Sequence, residues 1–200
     1  LLDASSGMTA LEAENAFAVS LVETKGSFDP AIVRREKASI VRKTGLLEVI
    51  ESDYNLDDIG GLEYLKEWLV ARRDCFTKKA REFGVTPPKG LLLVGVPGCG
   101  KSMSCKAVSK AWGRTLLRLD MGKIFGSLVG ESESNLRRCL DIAAAIAPCV
   151  LWIDELEKSF AGMQGGSNDG HGTAKRVFGT FLNWMQERKQ DVFIVATANN

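Results

Sequence analysis

Leu91-Leu92-Leu93-Val94-Gly95-Val96-Pro97-Gly98-Cys99-Gly100-Lys101-Ser102 carries more structural information than any other part of the chain. Its last eight residues fit G-x-x-x-x-G-K-[ST], and the apolar run before them reads as a buried strand feeding a phosphate-binding loop. The glycines let successive backbone N–H groups curl around an anion with no Cβ in the way, and Lys101 adds a point charge for β- and γ-phosphates. Ser102 offers a hydroxyl to Mg2+. Beyond it, Met103, Ala107, Val108 and Ala111 recur near helical spacing. The spacing predicts a helix over 102–112 whose N-terminus points at the phosphates, where the helix dipole favours negative charge. Pro97, Gly98, Cys99, Gly100, Lys101, Ser102 and Met103 are thus the candidate nucleotide-binding positions.

A second motif completes the chemistry. Val150-Leu151-Trp152-Ile153-Asp154-Glu155 is an apolar run ending in two carboxylates, 52 positions beyond Ser102. A strand of this kind places both acids at its carboxyl end, where open parallel sheets bind ligands. Ser102, by its hydroxyl, and Asp154, through the metal's water shell, are the candidate Mg2+-holding residues. Glu155 is the candidate base that deprotonates a water for in-line attack on a γ-phosphate.

Composition sets the frame. Two hundred residues, 45% hydrophobic and 26% charged, suffice for one substantial core plus an appendage. The 26 basic and 25 acidic residues leave a net charge of +1, which disfavours a nucleic-acid or anionic-membrane surface. The basic doublets, such as Arg34-Arg35 and Arg137-Arg138, are dispersed and read as solvated helix faces. Five cysteines (Cys75, Cys99, Cys105, Cys139, Cys149) form no C-x-x-C pair, so neither a disulfide framework nor a zinc knuckle is indicated. A reducing compartment, the cytoplasm or a plastid stroma, is expected. Cys99 has two readings, a small side chain that fits the turn and a redox-sensitive thiol beside a lysine. No apolar run approaches the roughly 18 residues needed to span a bilayer.

The remaining chain is expected to form helices over 9–22, with Thr9 as cap and Glu12 at the capping-box position, and over 30–43, with Pro30 at its first position and Gly45 closing it. Residues 46–54 read as a connection, and 62–82 as one amphipathic helix burying Leu62, Leu65, Leu69 and Phe76. Strands over 90–94, 115–119, 149–153 and 192–197 alternate with helices over 102–112, 132–147 and 173–187. That alternation predicts an α/β fold, a parallel sheet covered by helices on both faces. The glycine-rich stretch 162–172, which holds the only histidine, His171, is expected to be a mobile loop. The boundary between a helical segment (1–53) and the core (54–200) falls near Tyr54. The chain opens without Met and stops just past a strand, so it reads as an excerpt of a longer protein.

Taken in order, Asp57-Asp58-Ile59-Gly60-Gly61-Leu62, Pro88-Lys89-Gly90, the phosphate loop, Val129-Gly130-Glu131-Ser132-Glu133-Ser134, Ala147-Pro148-Cys149 with the acidic strand, and Ala196-Thr197-Ala198-Asn199 resemble the AAA family of ring-forming ATPases. The resemblance extends to a subgroup named from a chloroplast and cyanobacterial open reading frame. It implies a P-loop NTPase αβα sandwich, C-terminally incomplete. It also implies ATP and Mg2+ as ligands, adenine contacts from Ile59 and Gly60, and Asn199 as a sensor that helps place the attacking water, beside Glu155 and Lys101 in catalysis. A hexameric homo-oligomer follows from the family, with a neighbour's arginine completing each site and ATP-driven remodelling of a protein partner. The segment 8–22 resembles the end of a helical lid, which implies a further ATPase-like domain upstream. The family's pore aromatic aligns with Leu128, so the usual aromatic grip on a threaded polypeptide is absent. The arginine finger and nucleotide-sensing lid fall beyond Asn200. Two functions stay open: an ATP-hydrolysing remodelling motor, and a nucleotide-dependent switch or assembly scaffold. A DNA-directed loader is disfavoured by the neutral charge.

Overall fold

The computed structural model describes residues 5, 8–125, 131–157 and 168–199. Among the described residues five strands form one sheet: β1 (Leu47–Ile50), β2 (Gly90–Gly95), β3 (Thr115–Leu119), β4 (Cys149–Ile153) and β5 (Val192–Asn199). Their order is β1-β3-β4-β5-β2, and β3, β4, β5 and β2 pair parallel. All four expected strands are present, with β5 running on to Asn199.

The sheet has a fifth member that the sequence reading missed. Residues 47–50, read as connection, pair antiparallel with β3, Leu47 opposite Leu119 and Glu48 opposite Arg118. A four-residue strand with only Leu47 fully buried has too short an alternation to stand out in sequence. The sheet therefore takes in residues N-terminal of Tyr54.

Strand alternation divides the core in two. Leu117, Leu119, Leu151, Ile153, Ile194 and Ala196 face one side, against α7 (Glu131–Ile146) and α8 (Asn168–Glu187). Leu116, Val150, Trp152, Phe193 and Val195 face the other, against α3 (Glu63–Arg72) and α5 (Lys101–Ala111). Every residue of β4 is buried, as a central strand covered on both faces requires. On the second face Trp112 packs 4.6 Å from Phe193, and its Nε1 donates to the Leu69 carbonyl at 2.9 Å, which ties the end of α5 to α3. On the first, Glu133 of α7 accepts from Arg137 and from Thr180 of α8. Those two partners hold its carboxyl below the usual carboxylate range.

The N-terminal hairpin follows the expectation closely. Helix α1 (Ala10–Glu23) carries the Thr9–Glu12 capping box, and α2 (Pro30–Thr44) ends at Gly45 with φ +67°. Three expectations need correction. The single helix over 62–82 is instead α3, a 3-10 turn at Arg73–Phe76, and α4 (Lys78–Glu82), because Thr77 restarts the chain as a cap that accepts from the Ala80 N–H. The turn drops Phe76 into the core, whereas Leu62, expected to be buried, is 50% exposed in a left-handed conformation. Helix α8 begins at Asn168, so 168–172 are helical rather than loop. Positions 162–167 lie outside the described residues, as does the segment 126–130 with Leu128. A short helix not expected from sequence, α6 (Met121–Phe125), starts where Asp120 accepts from the N–H groups of Gly122 and Lys123. Among the described residues, no helix is long and apolar enough to cross a membrane.

Candidate nucleotide-binding site

The loop between β2 and α5 is shaped by two glycines. Gly98 (φ +82°) and Gly100 (φ +87°) sit in the left-handed region that other L-residues avoid, and a Cβ built on either meets nothing within 4 Å. The cradle is thus open, and Gly100 is the N-cap of α5, with no side chain capping the helix's first N–H groups. Lys101 folds back into the turn: its Nζ donates to the carbonyls of Gly95 at 2.7 Å and Val96 at 2.8 Å. Cys99 is exposed, with Sγ 3.8 Å from the same ammonium. That sulfur would lie 3.0 Å from a Cβ at Gly95, so glycine at 95 gives the thiol its room. Ser102 is exposed on the first turn of α5, and Pro97, which has no N–H, contributes shape only.

Parallel pairing carries the acids to the same end of the sheet. Gly95 pairs with Asn199, and Asp154 follows directly from β4, whose Ile153 pairs with Ala196. Thr197 is the hub of this corner. Its Oγ1 donates to Asp154 Oδ1 at 2.6 Å and accepts from the Glu155 N–H at 3.2 Å. Glu155 itself has φ +50°, which turns the chain sharply out of the strand. The amide of Asn199 donates to Glu157 Oε1 at 2.7 Å. On the far side of Asp154, Arg118 Nη2 lies 3.2 Å from Oδ2.

Thr197, Arg118 and Glu157 were not singled out from sequence. Thr197 lies two residues before Asn199 on one strand, hence on the same face, and Arg118 is a lone charge within Leu116-Leu117-Arg118-Leu119. Both were visible as anomalies in apolar strands. Ile59 is buried and follows a 3-10 turn (Leu56–Asp58) that packs against α5, while Gly60 is exposed. Lys110 fastens the adjoining chain through the Asp53 carbonyl at 2.7 Å. The structure thus gathers Lys101, Ser102, Asp154, Glu155 and Asn199 around one end of the sheet.

The residues suit a hard cation shared with phosphate. Among the described residues no three His, Cys, Asp or Glu side chains cluster to hold a metal by themselves. Mg2+ typically takes one or two protein oxygens and completes its shell with phosphate and water. A serine hydroxyl and one carboxylate meet that demand.

Comparison with known proteins identifies the family. Residues 91–200 match the model of the ATPase family associated with various cellular activities (AAA). The chain is 47% identical over 169 residues to the "Uncharacterized AAA domain-containing protein ycf46" of Guillardia theta, covering 84% of the chain and 33% of that relative. It is 50% identical over 168 residues to the protein of that name from Pyropia yezoensis (84% and 34%), and 46% over 164 residues to that from Gracilaria tenuistipitata var. liui (82% and 33%). The chain spans about a third of the length of the curated relatives it matches. With the family model covering more than half of its residues, the chain belongs to the AAA family of ATPases.

Proposed function

We propose that this chain binds Mg2+-ATP between the loop at 95–102 and the acidic end of β4, hydrolyses it, and couples turnover to the remodelling of a protein partner. The observation that carries the reading is the Lys101 ammonium, folded onto the Gly95 and Val96 carbonyls at the head of an uncapped helix. There its charge meets the β- and γ-phosphates together with the N–H groups of Gly98, Cys99, Gly100, Lys101, Ser102 and Met103. Ile59 and Gly60 flank the adenine. Ser102 and Asp154 hold Mg2+, which when bound neutralises charge on the phosphate oxygens.

Glu155 takes a proton from water as the water oxygen attacks the γ-phosphorus. The bond to the β–γ bridging oxygen breaks, and ADP and phosphate leave. Asn199 orients that water. Thr197 sets the geometry by fixing both the Asp154 carboxylate and the Glu155 backbone. The assembly is a hexameric ring in a reducing compartment, the cytoplasm or a plastid stroma.

The switch reading is favoured by one residue, Leu128, where the family carries a pore aromatic. Leucine lacks the flat face that stacks on backbone and side chains alike. ATP turnover of the full-length protein, with and without candidate polypeptides, separates the two. A motor shows polypeptide-stimulated turnover that Leu128→Ala lowers while basal turnover persists. A switch shows nucleotide-dependent assembly with little turnover.

A further inference from the structure

Arg118 stands between two acids and hydrogen-bonds only one of them. It lies on β3 opposite Glu48 of β1 and Trp152 of β4, so these three residues share one face of the sheet with Asp154 beyond them. Its guanidinium stacks over the Trp152 ring at 5.1 Å. Nη2 reaches Asp154 Oδ2 at 3.2 Å, while Nη1 is 3.7 Å from Glu48 Oε2, outside hydrogen-bonding range. Neither contact is the two-pronged fork that arginine makes when it is locked to a carboxylate. The buried Nε has no hydrogen-bond partner among the described residues. A small swing of this side chain trades one acid for the other.

Such a trade matters because each oxygen of Asp154 already has a partner, and one of the two is a cation. Thr197 donates to Oδ1 and the guanidinium to Oδ2, so a cation that approaches Oδ2 lies beside the guanidinium. Two cations on one carboxylate repel each other strongly at such separations.

Resting on the Mg2+-ATP reading above, we propose that Arg118 is a positioning residue for the metal site. It holds the Asp154 carboxylate in the absence of Mg2+, competes with Mg2+ for Oδ2, and is drawn off by Glu48 when the metal binds. The edge strand β1, on which α2 packs, is thereby coupled to the metal site through a single side chain.

The test is a Mg2+ titration of the binding of a fluorescent ATP analogue, which reads affinity without turnover. Arg118→Met keeps the stem on Trp152 and removes the competing charge. It should lower the half-saturating Mg2+ concentration about tenfold. Glu48→Gln removes the alternative partner and should raise it, by about threefold because Glu48 and Arg118 are 56% and 37% exposed. In the double variant the Glu48→Gln effect should vanish, leaving the Arg118→Met value. Opposite signs that collapse in the double variant are not produced by a merely structural role. Arg118→Met that leaves the half-point unchanged or raises it, or a Glu48→Gln effect that persists without Arg118, overturns the inference alone. Parental binding that shows no Mg2+ dependence overturns the metal site and the inference with it.

Discussion

The two halves of the candidate site are built in opposite ways. The candidate phosphate loop is one contiguous stretch that offers backbone N–H groups and a single ammonium, held by glycine conformations and by the strand and helix on either side. The acidic corner is assembled across the sheet. Asp154 comes from just past the end of β4, its anchor Thr197 from β5, and Arg118 from β3, with Glu48 on β1 behind it. The loop depends on local geometry, so it tolerates side-chain change except at Lys101, Ser102 and the glycines. In the corner each polar group is positioned by another side chain, so one substitution there disturbs several partners.

This contrast predicts a division of labour, the corner reacting and the loop binding. Glu155→Gln should lower hydrolysis by about 10²–10⁴-fold while ATP affinity stays within about twofold, measured by phosphate release and by equilibrium titration. Turnover at the parental rate removes Glu155 from the mechanism and dissolves the division. Lys101→Ala should weaken ATP binding by about 10–100-fold, the range for a lost charge-assisted hydrogen bond. An unchanged affinity means that the phosphates do not sit in this loop.

Two smaller effects sharpen the contrast. Thr197→Val keeps the shape, but removes the hydroxyl that donates to Asp154 and accepts from the Glu155 N–H. Thr197 is 1% exposed, so the loss should cost about 1–3 kcal/mol in denaturant unfolding. A cost near zero implies that the corner stands without its hub. Cys99→Ser, in the loop, should alter ATP affinity by less than about twofold, since the loop uses backbone at that position. In the parental protein ATP should slow thiol labelling of exposed Cys99. Cys105 and Cys139, whose thiols burial pushes up to about 12, should react slowly with or without nucleotide.

The same contrast explains what was legible in sequence. The loop, the acidic strand and the four parallel strands were readable because each is encoded by neighbouring residues: a glycine pattern, an apolar run, a periodicity. The Thr9–Glu12 box and the Asp29-Pro30 helix start were readable for that reason too. Strand β1 was not, since four residues pairing with a strand some seventy positions away leave almost no local trace. Nor was the break at Thr77 in an otherwise helical pattern, because the packing of Phe76 against Trp112 and Phe193 accompanies the turn. Thr197 lies inside the Ala196–Asn199 motif with no role of its own legible there, and Arg118 belongs to no motif. Their roles come from partners 43 and 36 positions away, which only the sheet brings together.

The central claim is that loop and corner form one metal-nucleotide site. Mn2+ in place of Mg2+, followed by electron paramagnetic resonance during an ATP titration, tests it most directly, since it reads the metal that Ser102 and Asp154 would hold in common. The account predicts one tightly bound Mn2+ per bound ATP, weakened both by Ser102→Ala in the loop and by Asp154→Asn in the corner. Mn2+ that binds equally well without ATP, or that is unaffected by Asp154→Asn, would contradict it.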